Sequence, residues 1–471
     1  MPGPDEGMMS LPRPFSHLRG EQERTADAQR AEIVARQLAD SASSVATTFV
    51  DHSGAARVKV VPLSGLPKAA RSGLGFSPVI DAFISDGSID PGSPLDRPDG
   101  DLRLVPDLDG LAALAEPPGW ALVPGDRFHQ DGTVYACCQR SFARAQVAAG
   151  LSKGISALMA FEIEWMVGHD TADFEPAFGG TGYGLSRITE SADYVRDVLT
   201  ALEAAGVRVE QIHPEYGPAQ FEVSVAAQDP VSAADTCVLV KFVIGAVTAR
   251  HGLRASFAPA VFSDNVGNGG HLHASFARDG RSLMSGGSGR HGLTQTGESI
   301  VAGLLDAVPA LLAIGAPSPA SYLRLRPSRW AGVYQVWGAE NREAAVRFIA
   351  ASPLDPGIAN VELKCFDLSA NPYLLTGAVL AVAIASADRH AHLPDEVRGD
   401  PAAPGHPLAG SAPRLPGNLA EAVSLLEASD DLRTAAGDQL ISTFAASRRA
   451  EIELAAGQPD EVVMARARWL S

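Results

Sequence analysis

The segment "HPEYGPAQFEVS", residues 213–224, carries two carboxylates, Glu215 and Glu222, on either side of a turn-forming Gly-Pro pair. If the chain is a strand from Gln220 onward, then Gln220, Glu222 and Ser224 share one face, because successive side chains of a strand point to opposite faces. One glutamate on a surface strand is ordinary. The segment indicates a site only if other strands direct acids to the same place.

Three other strand-like segments also direct polar side chains to a single face. In "FEIEW" (161–165), "GGHLHASF" (269–276) and "NVELKCF" (360–366), alternation assigns to those faces Glu162, Glu164, His271, His273, Ser275, Glu362 and Lys364. Each segment alone is typical of a solvated strand surface. Together they hold more carboxylates than a protein buries without neutralising cations.

Arginines in two later segments complete this set. The segments "SYLRLRPSRW" and "GAENREAAVRF" supply Arg324, Arg326, Arg329, Arg342 and Arg347. Ligation dominated by oxygen favours Mg²⁺ or Mn²⁺ over zinc, and arginine forks suit phosphate or a substrate carboxylate. The sequence has no GxxxxGK[ST] motif, so a nucleotide would not be held by a P-loop. These residues predict metal-assisted chemistry on a phosphorylated or carboxylated substrate.

Composition narrows the class of protein. The 471 residues are 46% hydrophobic and 20% charged, as in globular proteins, and suffice for about two or three domains. The net charge of −17, with no cluster of lysine and arginine, makes nucleic acids and anionic membranes poor partners. No apolar run approaches the ~20 residues that span a bilayer. The four cysteines form no CxxC pair, which fits a reducing cytoplasm.

The order of the predicted elements indicates an α+β fold with antiparallel strands. We expect a loose, proline-broken leader over 1–25, a small, mostly β unit over 26–130 that contains a hairpin, and a larger unit over 131–471. Asp229 and Pro230 suit the N-cap and first position of a long helix. The other predicted helices cover 26–40, 141–149 closed by Gly150, 190–205 and 296–314.

Six motifs in this order resemble those of the glutamine synthetase superfamily. They are E-x-E, H-x-E…Q-x-E, N-G-x-H-x-H-x-S, S-Y-x-R-L, N-R-x-x-x-x-R and E-x-[KR]…D…A-N-P-Y, and the match runs from about residue 30 to the C-terminus. The resemblance implies a small β-grasp domain over 26–130 and a catalytic domain with a curved antiparallel sheet over 131–471. It also implies a homo-oligomer, a dodecamer of two hexameric rings whose active sites are shared between neighbours.

The resemblance further implies a role for each matching residue. Glu164, Glu215 and Glu222 resemble the ligands of one metal ion, and Glu162, His271 and Glu362 those of a second, Mg²⁺ or Mn²⁺. The residues that resemble those holding ATP and its phosphates are His273, Ser275, Arg342 and Arg347. Those that resemble the glutamate-binding positions are Arg324, Lys364, Asn265 and Gly267. The implied reaction transfers the γ-phosphoryl group of ATP to glutamate, after which an amine attacks the acyl phosphate.

Four positions depart from the pattern of ammonia-using members. Trp330 stands where the flap of those enzymes carries an acid that binds ammonium. The ammonium-site loop D-G-S-S is shortened to "SDGS", with Asp86, while Glu340 and Lys364 replace arginines. With Arg324 and Arg342, we therefore expect Asp86 and Trp330 to take part in catalysis. The altered ammonium positions favour an organic amine such as a polyamine or ethanolamine, which Trp330 could contact through its π face.

Three alternatives remain open from the sequence. The first is an ordinary glutamine synthetase with a changed flap, and the second is a non-catalytic relative that serves in assembly. A two-metal phosphatase or nuclease would share the acids but leaves the "ANPY" and arginine motifs without a role. The sequence also leaves open which amine is used, and whether the loop "FGGTGYG" touches the substrate.

Overall fold

The structure, a computed structural model, describes residues 18–171 and 173–470. The predicted α+β class is confirmed, and the strands fall into two sheets. The first sheet has the order β2-β1-β6-β4-β3, with β5 paired to β6, and β1 runs parallel to β6. Its strands are β1 (Ala42–Val50), β2 (Ala56–Pro62), β3 (Leu74–Phe76), β4 (Leu102–Pro106), β5 (Ala112–Leu114) and β6 (Gly119–Phe128).

The second sheet has the order β13-β14-β15-β11-β7-β9-β8. The pairs along this path are antiparallel except β13 with β14. Short strands β10 and β12 pair with β7 and β11. The strands are β7 (Ile155–His169), β8 (Val209–Pro214), β9 (Gln220–Val225), β10 (Leu253–Ser256), β11 (Leu272–Arg278), β12 (Arg281–Ser282), β13 (Tyr334–Ala339), β14 (Ala344–Ile349) and β15 (Asn360–Leu363).

Helices cover the sheets and close the chain. Helices α1 and α2 pack on each other beside the first sheet, while α5 packs on β7 and on α8. The helices are α1 (Glu21–Gln37), α2 (Leu66–Ser72), α3 (Gln139–Ser152), α4 (Leu185–Ala204), α5 (Pro230–Arg250), α6 (Gln295–Gly315), α7 (Ser321–Arg324), α8 (Pro372–Ser386), α9 (Leu419–Ala428), α10 (Asp430–Ala436), α11 (Asp438–Ala455) and α12 (Asp460–Ala467).

The two sheets share one buried interior. A single hydrophobic core contains Phe49 of β1 and Leu104 of β4 together with Phe161 of β7 and Phe444 of α11. A buried ion cluster crosses the same boundary. Arg140 in α3 lies 3.0 Å from Asp107 and 3.1 Å from Asp126 of the first part of the chain, and 2.7 Å from Asp235 of α5.

Several local predictions are confirmed and others are wrong. Asp229 caps α5, accepting hydrogen bonds from the backbone N–H groups of the two residues after Pro230. Gly150 does not end α3 but lies within the helix, which runs to Ser152. Glycine is favoured at this position because a Cβ there would come within 2.8 Å of the Ile155 carbonyl oxygen. Helix α1 begins at Glu21, inside the segment assigned to the leader. The rest of that leader, up to residue 17, lies outside the described residues.

Two helices meet the length and composition of a membrane span, contrary to the expectation that no apolar run comes near that length. They are Pro230–Arg250 and Gln295–Gly315. Both pack within the interior, α5 against β7 and α8, and α6 against α8 and α9. Core helices of soluble proteins also reach this length and apolar content, because much of their surface is buried against other elements; 56% of the apolar window of α5 and 67% of that of α6 is buried.

Candidate active site

Four adjacent strands, in the order β15-β11-β7-β9, carry the predicted acids on one face. The register places Glu164 directly opposite Glu222, and His273 opposite Glu362. The alternate residues of these strands face the interior, where Ile163, Trp165, Phe221 and Val223 are fully buried. Strand alternation therefore separates the polar face from the core, as the sequence predicts.

His271 is the centre of the polar face. Its Nδ1 lies 3.0 Å from Glu162 Oε2 and 3.3 Å from Glu362 Oε1. Its Nε2 accepts a hydrogen bond from Arg324 Nη2 at 3.1 Å. The imidazole thus connects two carboxylates with the arginine expected to hold glutamate.

Glu362 is fully buried and is held by two cations. Lys364 Nζ donates to its Oε1 at 2.8 Å, and Arg347 Nη1 donates to its Oε2 at 2.9 Å. The other end of the Arg347 guanidinium donates to Glu340 at 2.5 Å. The lysine that replaces the family's arginine therefore still neutralises this carboxylate, as one point charge rather than a fork.

Glu164 is held by amides rather than by cations. Its Oε2 accepts hydrogen bonds from Gln220 Nε2 at 3.0 Å and from the Gly269 backbone N–H at 2.9 Å. The same Gln220 amide donates to the carbonyl oxygen of Gly267 at 2.8 Å. A Cβ on Gly269 would come within 2.3 Å of His271 Nε2 and 2.8 Å of Glu164 Oε1, so the site requires glycine there.

Glu215 lies in the turn between β8 and β9, as the sequence predicts, and is fixed by groups from two directions. Tyr183 donates its hydroxyl proton to Glu215 Oε2 at 2.6 Å, and His213 Nδ1 lies 3.7 Å from Oε1. The other ring nitrogen of His213 lies 3.2 Å from Glu222 Oε1. Arg187 donates to the Glu215 carbonyl oxygen at 2.7 Å, which fixes the turn itself.

The carboxylates differ in how well they are neutralised. Burial and the neighbouring Glu215 raise the pKa of Glu164 to about 7, and burial raises the pKa of Glu222 to about 7 despite the hydrogen bond from His213. Burial would also raise the pKa of Glu362, but Lys364 and His271 lower it to about 2. The half of the site that holds Glu164 and Glu222 therefore has too little positive charge of its own and fits an added cation.

The donor atoms fit a divalent metal. Three groups of side chains have ligand atoms within 4.8 Å of one another: Glu162, Glu222 and His271; Glu162, His273 and Glu362; and His213, Glu215 and Glu222. These groups contain five of the six predicted ligands but divide them differently from the two predicted triads. Glu164 belongs to none of the three; its Oε2 accepts hydrogen bonds from the amides of Gln220 and Gly269, and its Oε1 lies 3.7 Å from His271 Nε2. Carboxylates with imidazoles suit Mg²⁺ or Mn²⁺.

A cavity of about 510 Å³ opens onto this face. Among the predicted residues, it is lined by Glu162, Glu164, Glu215, Glu222, Gly267, His271, Arg324, Trp330, Arg342, Arg347 and Lys364. Trp330 stands at the rim, with 53% of its surface exposed. The strand acids, the arginines and the changed flap residue thus meet in one place.

Five predicted residues do not line the cavity. His273 and Glu362 lie beside it, within contact distance of Glu162 and His271 respectively. Ser275 lies further along β11, opposite Leu158, and Asn265 packs its amide 3.9 Å from Met166 Sδ. Asp86 lies in a loop of the first domain, where it accepts hydrogen bonds from Ser88, and within this single chain it is not brought to the cavity.

Sequence reasoning missed several residues that the fold brings to the site. Tyr183, in the loop "FGGTGYG", lines the cavity and donates its hydroxyl proton to Glu215. Gln211 and Tyr216 also line it. His213 was visible in the H-x-E motif but received no role. No local pattern pairs Tyr183 with Glu215, since the contact joins residues 32 positions apart.

Comparison with known proteins agrees with this geometry. The family model "Glutamine synthetase, catalytic domain" matches residues 136–467. Gamma-glutamylpolyamine synthetase GlnA3 of Streptomyces coelicolor is 47% identical, covering 95% of this chain and 97% of that protein. The glutamine synthetase of Pyrococcus abyssi is 29% identical, covering 83% and 86%. A solved structure described as a GmaS/ADP complex has a TM-score of 0.80 at 27% identity, covering 92% and 97%.

The chain therefore belongs to the glutamine synthetase family. It is a ligase of that family, and the use of ATP and of a divalent metal is typical of the family. The predicted glutamine-synthetase-type fold is confirmed by the structural match.

Proposed function

We propose that this enzyme joins the γ-carboxylate of glutamate to an organic amine, with a polyamine as the preferred amine, at the expense of ATP. The observation that carries the proposal is the combination of a complete acidic and arginine-lined cavity with Trp330 in the flap. The 47% identity to a gamma-glutamylpolyamine synthetase, against 29% to a glutamine synthetase, supports an amine larger than ammonia. The identity to a gamma-glutamylpolyamine synthetase also favours a polyamine over ethanolamine, the other amine class that the sequence predicts.

The reaction requires an activated carboxylate because a carboxylate itself is a poor electrophile. A γ-carboxylate oxygen of glutamate attacks the γ-phosphorus of ATP, the bond to the bridging oxygen breaks and ADP leaves. The free-base amine nitrogen then attacks the acyl carbon, phosphate leaves, and a carboxylate of the cavity accepts the proton from nitrogen. A bound Mg²⁺ or Mn²⁺ would neutralise the phosphoryl oxygens during transfer.

The side chains divide this work between them. We assign metal binding to Glu162, Glu164, Glu215, Glu222, His271 and Glu362. Arg342 and Arg347 would neutralise the phosphates on one side of the cavity, with His273 and Ser275 towards the nucleotide. Arg324, already fixed by His271, would hold a carboxylate of glutamate beside Lys364, Gly267 and Asn265.

The amine side of the cavity suits a cation with a carbon chain. Tyr183, Tyr216 and Trp330 give aromatic surface at the rim, and Glu215 gives negative charge beside them. Aromatic faces bind ammonium groups and also pack on methylene carbons. We further propose that the enzyme is cytoplasmic and that its chains form a ring-shaped homo-oligomer, a dodecamer, in which a neighbouring chain supplies Asp86.

Phosphate release tests the function directly. The enzyme is given ATP, glutamate and Mg²⁺ or Mn²⁺, with ammonium, ethanolamine, putrescine, cadaverine, spermidine or spermine as the amine. We expect release with polyamines and little with ammonium, together with a γ-glutamyl product seen by mass spectrometry. Release with ammonium alone would instead identify an ordinary glutamine synthetase.

A further inference from the structure

The flap that carries Trp330 has an unusual backbone. Ser328 and Trp330 have φ angles of 57° and 56°, in the left-handed region that residues other than glycine seldom adopt. Such a conformation costs about 1–3 kcal/mol at each residue and persists only where surrounding groups impose it. Some contact must therefore hold this segment, residues 328–330, in place.

Two carboxylates from different parts of the chain make that contact. Glu343 Oε1 accepts a hydrogen bond from the Trp330 backbone N–H at 2.8 Å, and Asp400 Oδ2 accepts one from the Ser328 hydroxyl at 2.6 Å. Glu343 precedes β14 and is only 4% exposed, whereas Asp400 lies in the loop after Gly399. Glu343 therefore anchors Trp330, and Asp400 anchors Ser328, in this strained turn.

The Glu343 carboxylate is not placed to act on the polar face of the sheet. It is not among the side chains that line the cavity, and its Oε2 has no hydrogen-bond partner within residues 18–171 and 173–470. Burial raises the pKa of Glu343, while the Trp330 N–H lowers it in part. What the carboxylate does in this structure is to accept a backbone N–H of the flap.

We propose that Glu343, assisted by Asp400, is a positioning residue that fixes residues 328–330 and thereby sets the amine selectivity of the site. Trp330 reaches the rim of the cavity only through this backbone geometry. Releasing the turn would let the indole leave the rim, while the strand-borne acids stayed in place. The selectivity part of this inference rests on the proposed function, but the anchoring of the flap does not.

Glu343→Ala and Glu343→Gln separate anchoring from charge. The glutamine amide oxygen still accepts the Trp330 N–H but carries no charge, whereas alanine removes the acceptor. We expect Glu343→Ala to raise the KM for polyamine roughly tenfold, because the partly buried Trp330 N–H is left without an acceptor, with the KM for ATP and for glutamate unchanged. Glu343→Gln should stay close to wild type. Glu32→Ala, an exposed glutamate in α1, is the matched control.

Hydrogen exchange of the flap gives a readout that does not depend on activity. Peptides covering 325–335 should exchange faster in Glu343→Ala than in wild type, and Glu343→Gln should exchange like wild type. Unchanged exchange and unchanged amine KM in Glu343→Ala would overturn the inference. A Glu343→Gln enzyme as impaired as Glu343→Ala would also overturn it, because the charge would then matter. If wild type used ammonium alone, the proposed function would fail while the exchange comparison still decided the anchoring.

Discussion

The two sides of the cavity are built in different ways. One side consists of Glu162, Glu164 and Glu222 on adjacent strands of the second sheet, where register and alternation fix each side chain. The other consists of loops, with Tyr183 after β7 and Trp330 in the flap, both at positive φ. The strand side matches the family motifs, whereas Trp330 departs from them. This difference supports the proposal that the sheet sets the phosphoryl-transfer chemistry and the loops set the choice of amine.

Removing a strand acid should have the largest effect. Glu164→Ala or Glu222→Ala should lower phosphate release by about a thousandfold or more with every amine and with ammonium, because each removes a proposed ligand of the divalent cation that would stabilise the transferred phosphoryl group. Release is measured with saturating ATP and glutamate, and thermal unfolding checks that the variants are folded. Activity near wild type in both variants would remove these residues from the metal site.

A smaller loss is expected from adding one methyl group behind the strand acids. In Gly269→Ala, the new Cβ would press on His271 and Glu164, so the apparent affinity for Mg²⁺ should fall about 10–100-fold. The dependence of phosphate release on Mg²⁺ concentration measures this affinity. Gly245→Ala in α5 is the control, since no heavy atom lies within 4 Å of its Cβ position. An equal apparent affinity for Mg²⁺ in Gly269→Ala and Gly245→Ala would contradict the close packing described for Gly269.

Changing the flap residue should alter selectivity rather than chemistry. Trp330→Glu restores the type of acid found in the flap of ammonia-using members, so the ratio of polyamine to ammonium activity should fall about tenfold. The ratio is taken from kcat/KM values for the two amines in the same preparation. No change in the ratio would show that Trp330 has no part in choosing the amine. It would also contradict the assignment of amine selectivity to the loop side of the cavity.

The smallest effect is expected at Tyr183. Tyr183→Phe removes the hydroxyl that donates to Glu215 at 2.6 Å, and the loss of about 1 kcal/mol corresponds to roughly a fivefold rise in the KM for the amine. Steady-state kinetics with a polyamine measures it. Tyr216→Phe lines the same cavity and is the matched control. A similar rise in both variants would indicate a general disturbance of the rim rather than a role for the Tyr183 hydroxyl.

The acids on the strand side of the cavity could be predicted from the sequence, because strand alternation and helix caps are patterns of neighbouring residues. Alternation placed Glu162 and Glu164 on one face, and the cap formed by Asp229 marked the start of α5. The loop side depends on tertiary contacts that no short segment contains. The pairing of Glu343 with the Trp330 backbone joins residues 13 apart, and glycine is required at position 150 by the nearby Ile155 carbonyl oxygen rather than by a helix end.

The grouping of the acids was also beyond local patterns. Motif matching assigned Glu164 to one triad. In the structure the amides of Gln220 and Gly269 hold its Oε2, while its Oε1 lies 3.7 Å from His271 Nε2. Asp86 was assigned to catalysis from its motif, yet it stays in its own loop within the single chain. No short segment contains these distances, because they join residues from distant parts of the chain.

The interior shared by the two sheets has a consequence for how the molecule melts. A boundary near residue 130 separates two sheets, but Phe49 and Phe444 belong to one core, and Arg140 ties Asp107 to Asp235 across that boundary. The core that the two parts share would lose its cover if either part unfolded. Calorimetry should therefore record one cooperative transition, and a fragment that begins after residue 130 should be unable to fold alone.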